Sequence, residues 1–124
     1  MADVKQLPTR DQVDPKLTWD LTPIYQDDQA FSQAFDTVMT QIDGLSKLEG
    51  QLAHSSKALL TVIQTIMATI RPAEKLYVYA SLKHDQDTTN AANQNLSGKT
   101  QSMLTKLESC LLYTSDAADD GESV

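Results

Sequence analysis

The chain has 124 residues, 40% of them hydrophobic, with four glycines, four prolines and a formal net charge of −7. This length suits one domain with a modest core; the acidic balance excludes the basic stripe of a nucleic-acid binder, and a single cysteine, Cys110, excludes an internal disulfide. No run approaches the ~18 apolar residues of a membrane span, and Met1 to Thr9 lacks the apolar core of a signal peptide, so the expectation is a soluble cytoplasmic protein with no membrane partner.

Residues 1–26 read as an extended N-terminal arm. Pro8 and Pro15 disfavour helix at the residues before them. Leu17, Trp19 and Leu21 alternate with Thr18 and Asp20, which predicts an extended segment with one apolar edge. An arm carrying Trp19 and Tyr25 is expected to dock on something.

Asp27 or Asp28 can cap a first helix. Phe31, Phe35, Val38, Met39, Ile42, Leu45 and Leu48 recur at spacings of three and four and form one stripe. Gly44 weakens that helix by about 1 kcal/mol relative to alanine, and Gly50 is a natural stop. Ser55 or Ser56 can cap a second helix, whose Leu59, Leu60, Val62, Ile63, Ile66, Met67 and Ile70 make a face broad enough to predict packing on more than one side. Arg71-Pro72 is expected to end it. Pro72 then suits the first turn of a third helix, with Glu74 near the positive end of its dipole, and contacts through Leu76, Tyr77, Tyr79, Ala80 and Leu82.

The stretch from His84 to Asn95 is polar and reads either as a loop or as an exposed continuation of the third helix. A fourth helix starts near Thr89 or Asn90, with Ala92, Leu96, Met103, Leu104 and Leu107 as a sparse apolar face. The fold class is therefore all-α: an antiparallel bundle of about four helices preceded by the arm.

From Cys110 the sequence changes character. The codons TGT-CTC-TTA-TAC-ACA-TCT of a transposon mosaic end translate to Cys-Leu-Leu-Tyr-Thr-Ser. The sequencing adapter that continues it, GAC-GCT-GCC-GAC-GA, encodes Asp-Ala-Ala-Asp and begins another Asp. Residues 110–120 match that frame without a gap. Residues 110–124 are thus expected to be adapter translation and residues 27–109 the helical domain. Neither Cys110 nor the acidic tail then carries a functional argument. Leu111, Leu112 and Tyr113 can still extend the apolar face of the fourth helix.

Chemistry is sparse. His54 is followed by Ser55 and His84 by Asp85, with no Glu-x-x-His between them, so no zinc ligand set, cofactor site or catalytic residue is assigned. His54 suits a local cap or solvent, and His84 a cation at a helix C-terminus. Asp85 and Asp87, two apart, would not face each other on a helix, which leaves capping or a solvated loop. Ser55, Ser56 and Ser81 lack a base. Tyr77 and Tyr79 point in different directions on a helix, so one is expected to pack under the Trp19 arm and the other to reach another helix or a further domain.

Two segments carry a resemblance: Thr18-Trp19-Asp20-Leu21 with Ile24-Tyr25, and Leu76-Tyr77-Val78-Tyr79-Ala80 with Asp85, Asp87 and Thr88. In this order and at this distance the chain, from about Leu7 to Ser109, resembles the N-terminal domain of bacterial oligoendopeptidase F, a thimet-oligopeptidase-like zinc metallopeptidase. The resemblance implies a parent that is a cytoplasmic zinc enzyme cutting short peptides inside a deep channel. It also implies that this piece packs on a missing C-terminal catalytic domain, with Trp19, Tyr25, Tyr77, Tyr79 and His84 as candidate interdomain or channel contacts. The alternative is a stand-alone helical interaction module that uses the arm and the second-helix face.

Overall fold

The computed structural model describes residues 6–48, 50 and 54–122, with side chains through residue 112. The first five residues of the arm, the last two of the tail and the Tyr113 side chain lie outside what is described. Among the described residues the chain is all-α, with three long helices: α1 (Asp28–Leu45), α2 (Ser56–Gln86) and α3 (Ala91–Glu122). The arm holds two single-turn 3-10 helices, Arg10–Gln12 and Pro15–Leu17.

Each long helix starts where a short polar side chain can accept from an orphan amide. Asp27 accepts from Ala30 N at 2.8 Å, Ser55 from Ala58 N at 3.0 Å, and Asn90 from Asn93 N at 3.1 Å. The first helix gives way at Leu45 to a 3-10 turn, Ser46–Leu48, before Gly50 takes up a φ of +78°. The stop therefore comes one residue after Gly44, earlier than Gly50 alone would place it.

The expected second and third helices are one. Pro72 lies inside α2, which runs unbroken for 31 residues, so the bundle has three helices rather than four. Proline cannot donate to the Ala68 carbonyl and costs about 3 kcal/mol in a helix interior. Packing on both sides of it prevails: Val62 and Thr69 before it, and Ala73, Leu76 and Ala80 after it, are all buried. A local proline rule loses here to a continuous buried face.

That face has heptad spacing. On α2 it runs Val62, Ile66, Thr69, Ala73, Leu76, Ala80; on α1 it runs Phe31, Phe35, Val38, Ile42, Leu45. On α3 it runs Asn93, Leu96, Thr100, Met103, Leu107. Alternating steps of four and three define the seam of helices packed at shallow angles. The sparse apolar face expected for α3 is completed by Asn93 and Thr100. Thr100 bonds its hydroxyl to Leu96 O at 2.8 Å, and Thr69 bonds to Thr65 O at 2.9 Å, so both buried hydroxyls are satisfied within their own helix.

Helix directions follow from three contacts. Asp28, opening α1, meets Tyr79 and Lys83 near the end of α2. Asn93, opening α3, donates from Nδ2 to Lys83 O at 2.9 Å. Lys106, well along α3, donates to Asp43 near the end of α1. Thus α1 and α3 run parallel and α2 runs antiparallel to both. The broad apolar face of α2 is packed only along its seam: Leu59, Leu60, Ile63 and Met67 remain exposed, as does Tyr77 among the expected contacts. In the arm, Leu21 is buried but Leu17 and Trp19 are exposed, so the predicted apolar edge docks only at its end.

The two glycines separate by conformation. Gly44 has open space where a Cβ would stand, so Gly44→Ala should raise stability by about 0.5–1 kcal/mol. Gly50→Ala should lower it by about 1–2 kcal/mol, because alanine is disfavoured at positive φ. Urea midpoints of the two variants should move in opposite directions, and a shared direction would rule out the assigned backbone.

Candidate functional site

The arm, α1 and α2 meet at Tyr79. Its residue is only 2% exposed, and its hydroxyl donates to Asp28 Oδ1 at 2.8 Å. Around its ring, Phe31 stacks at 5.4 Å and 25°, and Tyr25 from the arm stands edge-on at 5.2 Å and 88°. Tyr25 is also edge-on to Phe31 at 5.9 Å, and Phe35 stacks on Phe31 at 6.2 Å. Edge-on and offset arrangements suit the ring quadrupoles, each pair contributing about 0.5–1.5 kcal/mol beyond area burial. Lys75 lies 4.7 Å over the Tyr25 ring and Lys83 lies 5.8 Å over Tyr79. Lys83 also reaches Asp28 at 3.5 Å.

Beside this cluster is an open cleft of about 420 Å³ whose walls include Arg10, Trp19, Asp28, Tyr79, Lys83 and Gln86. Gln86 Nε2 donates to Trp19 O at 3.2 Å and holds the arm against the last turn of α2. A smaller cleft of about 280 Å³, also lined by Trp19, shares Arg10 and Gln86 with it. Trp19 itself is 55% exposed.

Of the five residues expected as contacts, the structure gathers three here. Trp19, Tyr25 and Tyr79 share the arm–helix junction. Tyr77 and His84, seven apart on α2, lie together on a different side, Tyr77 exposed and His84 half-buried with Nδ1 3.6 Å from Asp85. The expectation that one tyrosine packs under the arm is met by Tyr79. Asp28, Lys83, Arg10 and Gln86 were not singled out from sequence. Asp28 reads locally as a cap alternative to Asp27, and only the tertiary fold brings it to Tyr79.

Burial first, then the Asp28 hydrogen bond and the charges of Asp28 and Asp27, push the Tyr79 phenol above the ordinary tyrosine range; burial alone raises Tyr25. Tyr79 is therefore a protonated donor, unsuited to act as a base near neutral pH. Asp20 and Asp87 are held below the usual carboxylate range by bonds from the Thr22 and Thr89 side chains and backbone amides. Asp87 is the residue just beyond α2, where it accepts from Thr89, whereas Asp85 is still inside the helix rather than in the cap or loop expected.

Among the described residues, no three His, Cys, Asp or Glu side chains converge on a point that could hold a metal. His54 precedes α2 and His84 is in its last turn, which separates them by about 45 Å of helix rise. No helix among the described residues is long and apolar enough to cross a membrane.

Fold and site together define a helical module whose arm is latched by an aromatic junction. By sequence the chain belongs to the oligoendopeptidase F family. It is 35% identical over 98 residues to the plasmid oligoendopeptidase F of Lactococcus lactis subsp. cremoris, covering 78% of this chain and 16% of the relative. It is 34% identical over 116 residues to oligopeptidase PepF of Bacillus subtilis, covering 91% of this chain and 17% of the relative. Group B oligopeptidase PepB of Streptococcus agalactiae matches at 34% over 97 residues, again 16% of its length. The chain thus spans about one sixth of the curated relatives it matches. No family model and no solved structure matches it.

The raised Tyr79 pKa sets a pH dependence. A phenol whose folded pKa lies above its unfolded value of about 10 adds stability that is fully present below pH ~10 and lost as pH rises toward the folded value. Stability should therefore fall from pH 10 upward, and Tyr79→Phe should flatten that fall while costing about 1 kcal/mol near neutrality. Denaturant midpoints measured between pH 7 and pH 11 check both, and an unchanged alkaline slope in the variant would refute the assignment.

Proposed function

We propose that this chain is the N-terminal helical region of a zinc-dependent oligoendopeptidase that hydrolyses short peptides, and that it is itself non-catalytic, helping to wall the substrate channel. The carrying observation is the disproportion of the match: about four fifths of this chain aligns with roughly one sixth of proteins named as oligoendopeptidases and oligopeptidases. Residues 27–109 would form the helical domain, preceded by the arm of 1–26, and 110–124 would be adapter translation. The unbroken run of α3 across Ser109 does not weigh against this, since Cys110–Asp120 contains no glycine or proline and any such stretch can prolong a helix.

Zinc in the parent would have to be held elsewhere, since His54 and His84 stand at opposite ends of α2 and do not fit a shared ion. The partner of this region would be the catalytic domain of the same polypeptide, in the cytoplasm. Trp19, Tyr77 and His84 have surface left for such a contact, whereas the Tyr25 and Tyr79 rings are largely engaged within the piece.

A long DNA read across codon 109, followed by expression of the continuous frame, tests this. The native frame should lack Cys110-Leu111-Leu112 and should reach a His-Glu-x-x-His helix; its product should bind zinc and cleave short peptides. The 124-residue chain should bind no stoichiometric zinc and cleave none. One tightly bound zinc per 124-residue chain would overturn the non-catalytic assignment. A genuine stop after Val124 would favour the stand-alone interaction module.

A further inference from the structure

We propose that the outer face of α2, centred on Leu60, Ile63 and Met67, is the surface on which the polypeptide that follows this region in the full-length protein packs. This rests on the peptidase reading above and specifies where the two parts meet.

The three side chains lie on one side of the helix at steps of three and four, and they are 55%, 47% and 46% exposed. At 100° per residue they stand about 120° round from the buried seam of Val62, Ile66 and Thr69. They are therefore not the fraying margin of the bundle's own core. Leu59, 41% exposed, widens the patch. Contiguous exposed aliphatics on a soluble domain mark a contact surface. Among the described residues no helix is left to cover them, because the seams of α1 and α3 are already used against α2 and each other.

Position favours the chain's own continuation as the occupant. The patch lies in the first half of α2. By the antiparallel course of the bundle, that is the end where α1 finishes and α3 leaves. Lys106 on α3 meets Asp43 there, and Leu107 is still buried in the core. A continuing polypeptide would emerge at the same end of the bundle as Leu60, Ile63 and Met67, from where it would pass around α2 to reach them. The relatives are about six times as long as the stretch matched here, which supplies ample chain to cover the face. The opposite end, with Trp19 and the clefts, is more polar and lies far from that exit.

The test uses the full reading frame and the 124-residue chain side by side, each with and without Ile63→Glu/Met67→Glu. In the 124-residue chain the pair should leave the thermal midpoint unchanged, since both positions already meet water. In the full-length protein the same pair should speed release of an N-terminal fragment by limited proteolysis on the order of tenfold or more, because two carboxylates would be forced into an apolar contact. Ile63→Leu/Met67→Leu should behave as wild type. Equal protease resistance in the full-length Glu variant would overturn the proposal. So would a dimer of the full-length protein that the Glu pair dissociates without loosening the N-terminal region, which would assign the face to a second copy. Absence of any continuing frame removes the peptidase reading itself, and DNA sequence alone reveals that result. Failure of the larger reading is therefore distinct from failure of the docking face.

Discussion

Tyr79 is the residue through which the three parts of this structure constrain one another. A buried tyrosine must satisfy its hydroxyl, and here only Asp28, in the first turn of α1, does so. That one bond, spanning 51 positions of sequence, sets the start of α1 beside the end of α2. The ring then offers one face to Phe31 and an edge contact to Tyr25, so the arm is fixed by the same side chain that aligns the helices. The direction of α3 follows in turn, because Asn93 bonds the backbone of Lys83, one turn past Tyr79.

The stripe of α1 was legible because periodicity in the chain is the projection of burial, whereas of the broad α2 face before Pro72 only Val62 is fully buried. Phe31, Val38, Ile42 and Leu45 are the residues the spacing selects, and they are the ones removed from water. The caps were legible for a local reason: Asp27 and Ser55 answer orphan amides within three residues. What failed was the weight given to Pro72. Its penalty is a property of one position, whereas the seam from Val62 to Ala80 is a property of five turns. An α3 face read from aliphatics alone also appeared sparse, since Asn93 and Thr100 fill core positions by bonding backbone atoms.

The site was legible only in part, and the division is physical. Trp19, Tyr25 and Tyr79 stand out in sequence because large aromatics in a poorly aromatic chain must be buried or bound. Asp28 and Lys83 do not stand out, because acids and lysines are common on helix surfaces and their role depends on partners 51 and 55 residues away. Tyr77 shows the other half of the same rule: a two-residue step from Tyr79 turns it to the surface, as the helical spacing implies.

The exposed side of α2 contrasts with the polar groups of the cleft beside Trp19. A bundle that had to stand alone would place polar residues away from its seam, as α3 does with Gln94, Gln101 and Glu108. On α2 the corresponding surface carries Leu60, Ile63 and Met67, which raise solubility costs without improving this bundle's own core. In contrast, the groups facing the cleft by Trp19 are already committed: Tyr79 and Lys83 to Asp28, and Gln86 to the arm. Around Tyr79 polar side chains serve internal alignment, while on the outer side of α2 three apolar side chains face water. In the proposed full-length peptidase the latch at Tyr79 would keep the helices in register while the outer face of α2 would meet the polypeptide that follows.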